Sequence, residues 1–164
     1  MRPSSILLAT LLGATAGGAG SALQRVPPGA PAAEVLARAG APTEQRSLGG
    51  GVTAWYYVSG PFGWTTYRTR FDASDHLIDI DQMLSEANFR TMVANQTNRE
   101  QVLDMFGRPG LIARYPNLGE EVWTYRYLDV TLEMLNDDHF DAATGVLRYY
   151  TLYRDPAYVS QGRK

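Results

Sequence analysis

The chain has 164 residues, 45% of them hydrophobic, enough to bury one good core or two small ones. A net charge of −2 with no basic run gives no electrostatic footing for nucleic acid. With no cysteine, disulfides, a thiol nucleophile and a thiolate metal site are all excluded.

Arg2, an apolar run over 6–12 and small residues up to Ala22 read as a secretory leader spanning 1–22. The expected cut follows Ala22, with Ala16 as the alternative. The apolar run is too short for a bilayer-spanning helix, so no transmembrane segment is expected. Leu11-Leu12-Gly13-Ala14 has the shape of a lipid-attachment box with alanine at the acylated position. A thioether-linked anchor would need a cysteine from an upstream start.

Residues 23–84 then read as one unit. A short first helix is truncated by Pro27 and Pro28, and a main helix over 32–39 is ended by Gly40 and Pro42. Gly49-Gly50-Gly51 forms a hairpin tip between two strands. Strands are expected at 52–59, 64–71 and 76–84, with turns at 60–63 and 72–75. Residues 85–154 read as a second unit. A short helix over 86–93 precedes a longer one that starts at Thr97, whose capping partner is Glu100. Gly107 and Pro109 stop it, and strands follow at 112–115, 121–127, 130–136 and 146–153. Residues 155–164 look like a frayed tail.

The two stretches repeat each other in order and type. Val102 lies 67 residues after Val35, Trp123 68 after Trp55, Phe140 69 after Phe71 and Leu147 70 after Leu77. A drift of one residue per element is what small loop insertions in a tandem duplication leave behind.

Strand alternation sorts the side chains between sheet faces. The helix-covered face is expected to hold Trp55, Tyr57, Tyr67, Thr69, Phe71, Ile78 and Ile80 in the first unit. In the second it holds Trp123, Tyr125, Tyr127, Val130, Leu132, Leu147 and Tyr149. The opposite, open face then carries Tyr56, Trp64, Arg68, Arg70, Asp79, Asp81, Thr124, Arg126, Arg148 and Tyr150, with Phe62 beside Trp64 at a turn. Aromatics mixed with arginine are the composition enriched where proteins bind proteins, which makes Tyr56, Phe62, Trp64, Arg68, Arg70, Arg126, Arg148 and Tyr150 the candidate partner-binding set. The same composition fits an ordinary solvated sheet exterior.

No catalytic constellation emerges. Asp137-Asp138-His139 reads as a solvated turn, because neighbouring strand residues point to opposite faces. Asp72-Ala73-Ser74-Asp75 lacks the central glycine and terminal glutamate of a calcium loop and reads as an Asx turn. No Gly-x-Ser-x-Gly elbow is present, and neither a metal nor a cofactor is expected.

A helix ending in Val-Leu-x-x-x-Gly-x-Pro, followed by a Trp-x-Tyr strand and a Phe-Asp turn into a last strand, resembles the SmpA/OmlA family of BamE-like outer-membrane assembly lipoproteins. The tandem arrangement is similar to that of the β-lactamase inhibitor protein. The resemblance implies an α+β fold: two such repeats, each with two short helices packed on one face of a three- or four-stranded antiparallel sheet. It implies Gly40, Pro42, Trp55, Gly107, Pro109 and Trp123 as fold-defining residues. It further implies a non-enzymatic, exported protein, periplasmic or on the periplasmic face of the outer membrane, that binds other envelope proteins. An inhibitor that lays its sheet over an enzyme is the alternative.

Overall fold

The computed structural model describes residues 18–159. The fold is α+β, with two four-stranded antiparallel sheets and few helices. Helices α1 (Ala19–Leu23) and α2 (Ala32–Ala39) lead into β1 (Glu44–Gly49), β2 (Val52–Val58), β3 (Thr66–Phe71) and β4 (Leu77–Gln82). Helices α3 (Glu86–Phe89) and α4 (Arg99–Phe106) then lead into β5 (Leu111–Tyr115), β6 (Glu120–Asp129), β7 (Leu132–Asp141) and β8 (Leu147–Arg154), followed by a last short helix, α5 (Pro156–Val159). Each sheet is a meander in which sequence neighbours pair.

Each sheet buries one face against the helices that precede it. Leu23, Val26, Val35 and Ala39 meet Tyr57, Phe71 and Leu77 in the first core. Phe89, Val102 and Phe106 meet Trp123, Tyr125, Tyr127, Phe140 and Leu147 in the second. Both tryptophans of the Trp-x-Tyr strands turn inward, Trp55 onto Phe71 at 4.6 Å and Trp123 onto Phe140 at 4.9 Å between centroids.

Finer features recur at the same offsets. Gly40 and Gly107 end α2 and α4 with φ/ψ of 77°/−169° and 69°/−165°, a region open only to glycine. The carbonyl of each accepts the hydroxyl of a core tyrosine, Tyr57 and Tyr125 respectively. Each last strand carries a bulge, Ile78 opposite Arg70/Phe71 in one sheet and Arg148 opposite His139/Phe140 in the other. The residue before each bulge is pinned alike: Gly29 N–H and Asn95 N–H donate to the carbonyls of Leu77 and Leu147.

Several expectations are corrected here. The capping box of α4 sits one residue later than expected: Asn98 Oδ1 accepts from Gln101 N–H and Gln101 Oε1 from Asn98 N–H. Thr97 instead receives Val93 N–H. β7 begins at Leu132, and Val130 is 91% exposed at φ 56° in the hairpin turn, so it covers nothing. The bulge in β4 leaves Ile78 exposed while Ile80 keeps its expected place on the covered face, and the bulge in β8 exchanges Tyr149 with Tyr150. Residues 155–158 are no frayed tail, because the Asp155 side chain is buried. The leader reading rests largely on residues 1–17, which lie outside the described residues; the expected cut after Ala22 falls inside α1.

The largest departure concerns the outer face of the first sheet. It is not open: α4, whose apolar side belongs to the second core, lays its other side across it. Tyr56 is fully buried and donates its hydroxyl to the Asp104 carbonyl at 2.7 Å, and Arg68 Nη1 donates to the same oxygen at 3.2 Å. That carbonyl lies in the last turn, where no intrahelical donor exists, and a cation there complements the helix dipole. Glu100 and Asp104, one helical turn apart, hold Arg46 at 2.6 and 2.7 Å. The order of layers is therefore helices, sheet, helix, sheet.

Gly107 sits close under this sandwich, since a Cβ there would lie 3.1 Å from the Tyr56 ring in a backbone conformation closed to other residues. Gly107→Ala is expected to lower unfolding free energy by about 2–3 kcal/mol, read from urea denaturation with an unchanged m-value.

Candidate functional site

Of the eight residues expected to form a partner-binding surface, most serve the joint between the two halves. Tyr56 and Arg68 lie under α4; burial raises the Tyr56 phenol to about 12. Arg70 is tied to Asp79 across the strand pair, its Nε donating to Oδ1 at 2.9 Å. Phe62 and Trp64, from the β2–β3 loop of the first half, close over Arg126 of the second. The Arg126 guanidinium lies 4.3 Å from the Phe62 centroid, 5.9 Å from the Trp64 ring and 5.7 Å from Tyr158 of α5. Its Nε faces the buried Asp155 carboxylate at 3.1 Å. Phe62 fits because Gly110 has no side chain; a Cβ there would fall 2.0 Å from the Phe62 ring.

Arg148, the residue displaced by the bulge, spans a turn. It donates to the Leu118 and Gly119 carbonyls and pairs with Asp141 at 2.8 Å. That pairing and the Thr144 donors hold the Asp141 carboxyl well below the usual carboxylate range. Tyr150 sits on the helix-covered side, partly buried against the second core. The fold-defining set is placed as follows: Gly40 and Gly107 cap α2 and α4, Trp55 and Trp123 line the inner faces, and Pro42 and Pro109 stand just beyond the glycines.

The outer face of the second sheet is the sheet face on which none of α1–α4 packs. Register places Leu111, Ala113 and Tyr115 of β5 beside Thr124, Val122 and Glu120 of β6. On the same face come Leu135, Asp137 and His139 of β7, then Tyr153, Thr151 and Tyr149 of β8. The polar groups here are matched in pairs. Thr124 Oγ1 donates to Asp137 Oδ1 at 2.6 Å, and the Tyr153 hydroxyl to Asp137 Oδ2 at 2.7 Å. His139 Nδ1 meets Glu120 Oε1 at 3.0 Å, and its ring stacks on Tyr149 at 4.2 Å and 17°. Burial, then the bond to Asp137, push the Tyr153 phenol well above its ordinary range. Tyr149 (47%), Leu111 (54%) and Leu128 (42%) stand out from this surface. The polar groups of this face are thus occupied by one another, and its exposed side chains offer area for contact.

Sequence alternation misses Tyr149 and Tyr153 because the bulge shifts the last strand by one residue. Asp137 and His139 were read into a turn, and they stand mid-strand in β7. Elsewhere, a groove of about 480 Å³ runs along β4 beside α1, walled by Leu23, Val26, Tyr67, Leu77 and Ile80. It brings no catalytic set together. Among the described residues no group of His, Asp or Glu could hold a metal ion, and no helix is long and apolar enough to cross a membrane. No protein-family model matches the chain, and no curated protein matches it.

Asp138, also expected in a solvated turn, is fully buried on the helix side of β7. It accepts one bond, from Asn136 Nδ2 at 2.7 Å, and its second oxygen has no hydrogen-bonding partner. Desolvation raises its pKa from 3.8 to about 7. The folded state thus keeps this proton where the unfolded chain loses it, and stability falls as pH rises from about 4 to about 7. Asp138→Asn is expected to remove this slope and, at pH 8, to raise unfolding free energy by a few kcal/mol, on the order of 3, measured by denaturation at stepped pH. Arg126→Ala, which strands the buried Asp155 carboxylate, is expected to cost about 3 kcal/mol and to shift Trp64 fluorescence to the red, measured by thermal melts and emission spectra.

Proposed function

We propose that the chain is a non-enzymatic cell-envelope protein-binding module, built from two BamE-like helix-and-sheet units in tandem and related to the outer-membrane assembly factors. It engages a partner through the outer face of its second sheet. The observation that carries the binding reading is that face itself: Tyr149, Tyr153 and Leu128 are exposed on a sheet surface that none of α1–α4 covers. Rigid tyrosines present large contact area at low entropic cost, and the matched pairs beneath them hold them in place. The tandem reading draws support from the glycine caps, tyrosine hydroxyls and bulges that recur at offsets of 67–70 residues.

The surface differs from the one expected from alternation alone, since Tyr56, Arg68, Phe62 and Trp64 are spent inside the molecule. In envelope extracts, the wild-type chain is expected to retain components of the outer-membrane assembly machinery. The double variant Tyr149→Ala with Tyr153→Ala is expected to lose them at least tenfold, while its melting temperature falls by only a few degrees. Retention of a single hydrolase instead would favour the inhibitor reading, and undiminished capture by the double variant would remove this face from consideration.

A further inference from the structure

Each sheet has two edges, and β1, β4 and β8 are each engaged at one end. β1 is polar from Glu44 to Ser47, and its Glu44 is engaged by Arg108 N–H. β4 and β8 have Leu77 and Leu147 occupied by the chain segments before α2 and α4, through Ala30 and Thr97 carbonyls. β5 is different. Its sequence is Leu111-Ile112-Ala113-Arg114-Tyr115, with Leu111 at 54%, Ile112 at 41% and Tyr115 at 48% exposure. Among the described residues its backbone bonds to β6 alone. Apolar side chains on both faces of an uncapped edge invite another strand, and stable chains seldom leave such an edge bare.

We propose that β5 pairs with β5 of a second copy, antiparallel about a two-fold axis through Ala113, joining the two second sheets into one of eight strands. The strand is self-complementary in that register, as a two-fold interface requires. Leu111 of one copy falls beside Tyr115 of the other on the outer face, and Ile112 beside Arg114 on the inner face. An aliphatic–aromatic cross-strand pair is a favourable one. Alanine at the axis lets the backbones approach without a clash. Arg114 is already held by Glu121, Nε to Oε2 at 2.9 Å, so the joint brings no unpaired cation to the axis. The counterpart strand β1, with Glu44, Gln45, Arg46 and Ser47, has none of these properties. The pairing does not depend on the partner-binding reading, which rests on residues of β6 and β8.

The chain contains no cysteine, so a single introduced one reports on the joint alone. Full-length Ala113→Cys is expected to form an interchain disulfide under mild oxidation. Leu111→Cys is expected not to, because that position lies roughly 13 Å from its own copy at 3.3 Å per residue. In sedimentation equilibrium the wild type is expected to be a dimer that dissociates on dilution. Leu111→Lys is expected to weaken it at least tenfold, and adding Tyr115→Glu to recover most of that loss by placing opposite charges across both contacts. Both positions are exposed, so circular dichroism and melting temperature serve as controls on folding. A wild type that stays monomeric to high micromolar concentration, equal cross-linking at 111 and 113, or a dimer indifferent to Leu111→Lys would each overturn the proposal.

Discussion

The carbonyl of Asp104 holds the molecule together. It stands in the last turn of α4, where a helix has acceptors and no donors of its own, and the first sheet supplies them as Tyr56 and Arg68. Everything around that oxygen follows from the same placement. The tyrosine must be buried to reach it, the glycine after the helix must lack a side chain to let the ring in, and Arg46 must cross to the carboxylates one turn back. The helix thereby satisfies one half of the protein with its apolar side and the other half with its polar side.

The second joint works by different chemistry. Arg126 lies among Phe62, Trp64 and Tyr158, with Asp155 to balance it. A guanidinium is weakly hydrated and stacks on ring faces, so it can be withdrawn from water at less expense than an ammonium could. The β2–β3 loop, the middle of β6 and the last short helix, far apart in sequence, meet on this one side chain. What is left for the outside is the remainder of the second sheet, whose charged groups pair among themselves.

Much of this was legible in the sequence. Helix stops at Gly40 and Gly107, inward indoles at Trp55 and Trp123 and the meander of strands follow from period, capping and turn chemistry, which act over a few residues. The candidate surface was not legible. Alternation tells which residues share a face, but a bulge changes the count by one, and nothing in Phe140–Leu147 announces it. Nor does alternation tell whether a face is wet: Tyr56 and Arg68 have the pattern of a solvated exterior and the environment of an interior, because the element covering them comes some forty residues later. Asp138 was misread for a related reason, since three polar residues in a row look like a turn until the strands on either side are known to run past them.

The position of α4 also governs how the chain can fold. Until residues beyond 107 are available, the first sheet has one dressed face and one bare one, with Tyr56 and Ala54 facing solvent. An isolated N-terminal half would therefore be a half-finished object with a sticky flank, however complete its own core. The two halves look like separate beads in the sequence, yet they share a helix and so should melt in one cooperative step. A protease would then find little to cut between them.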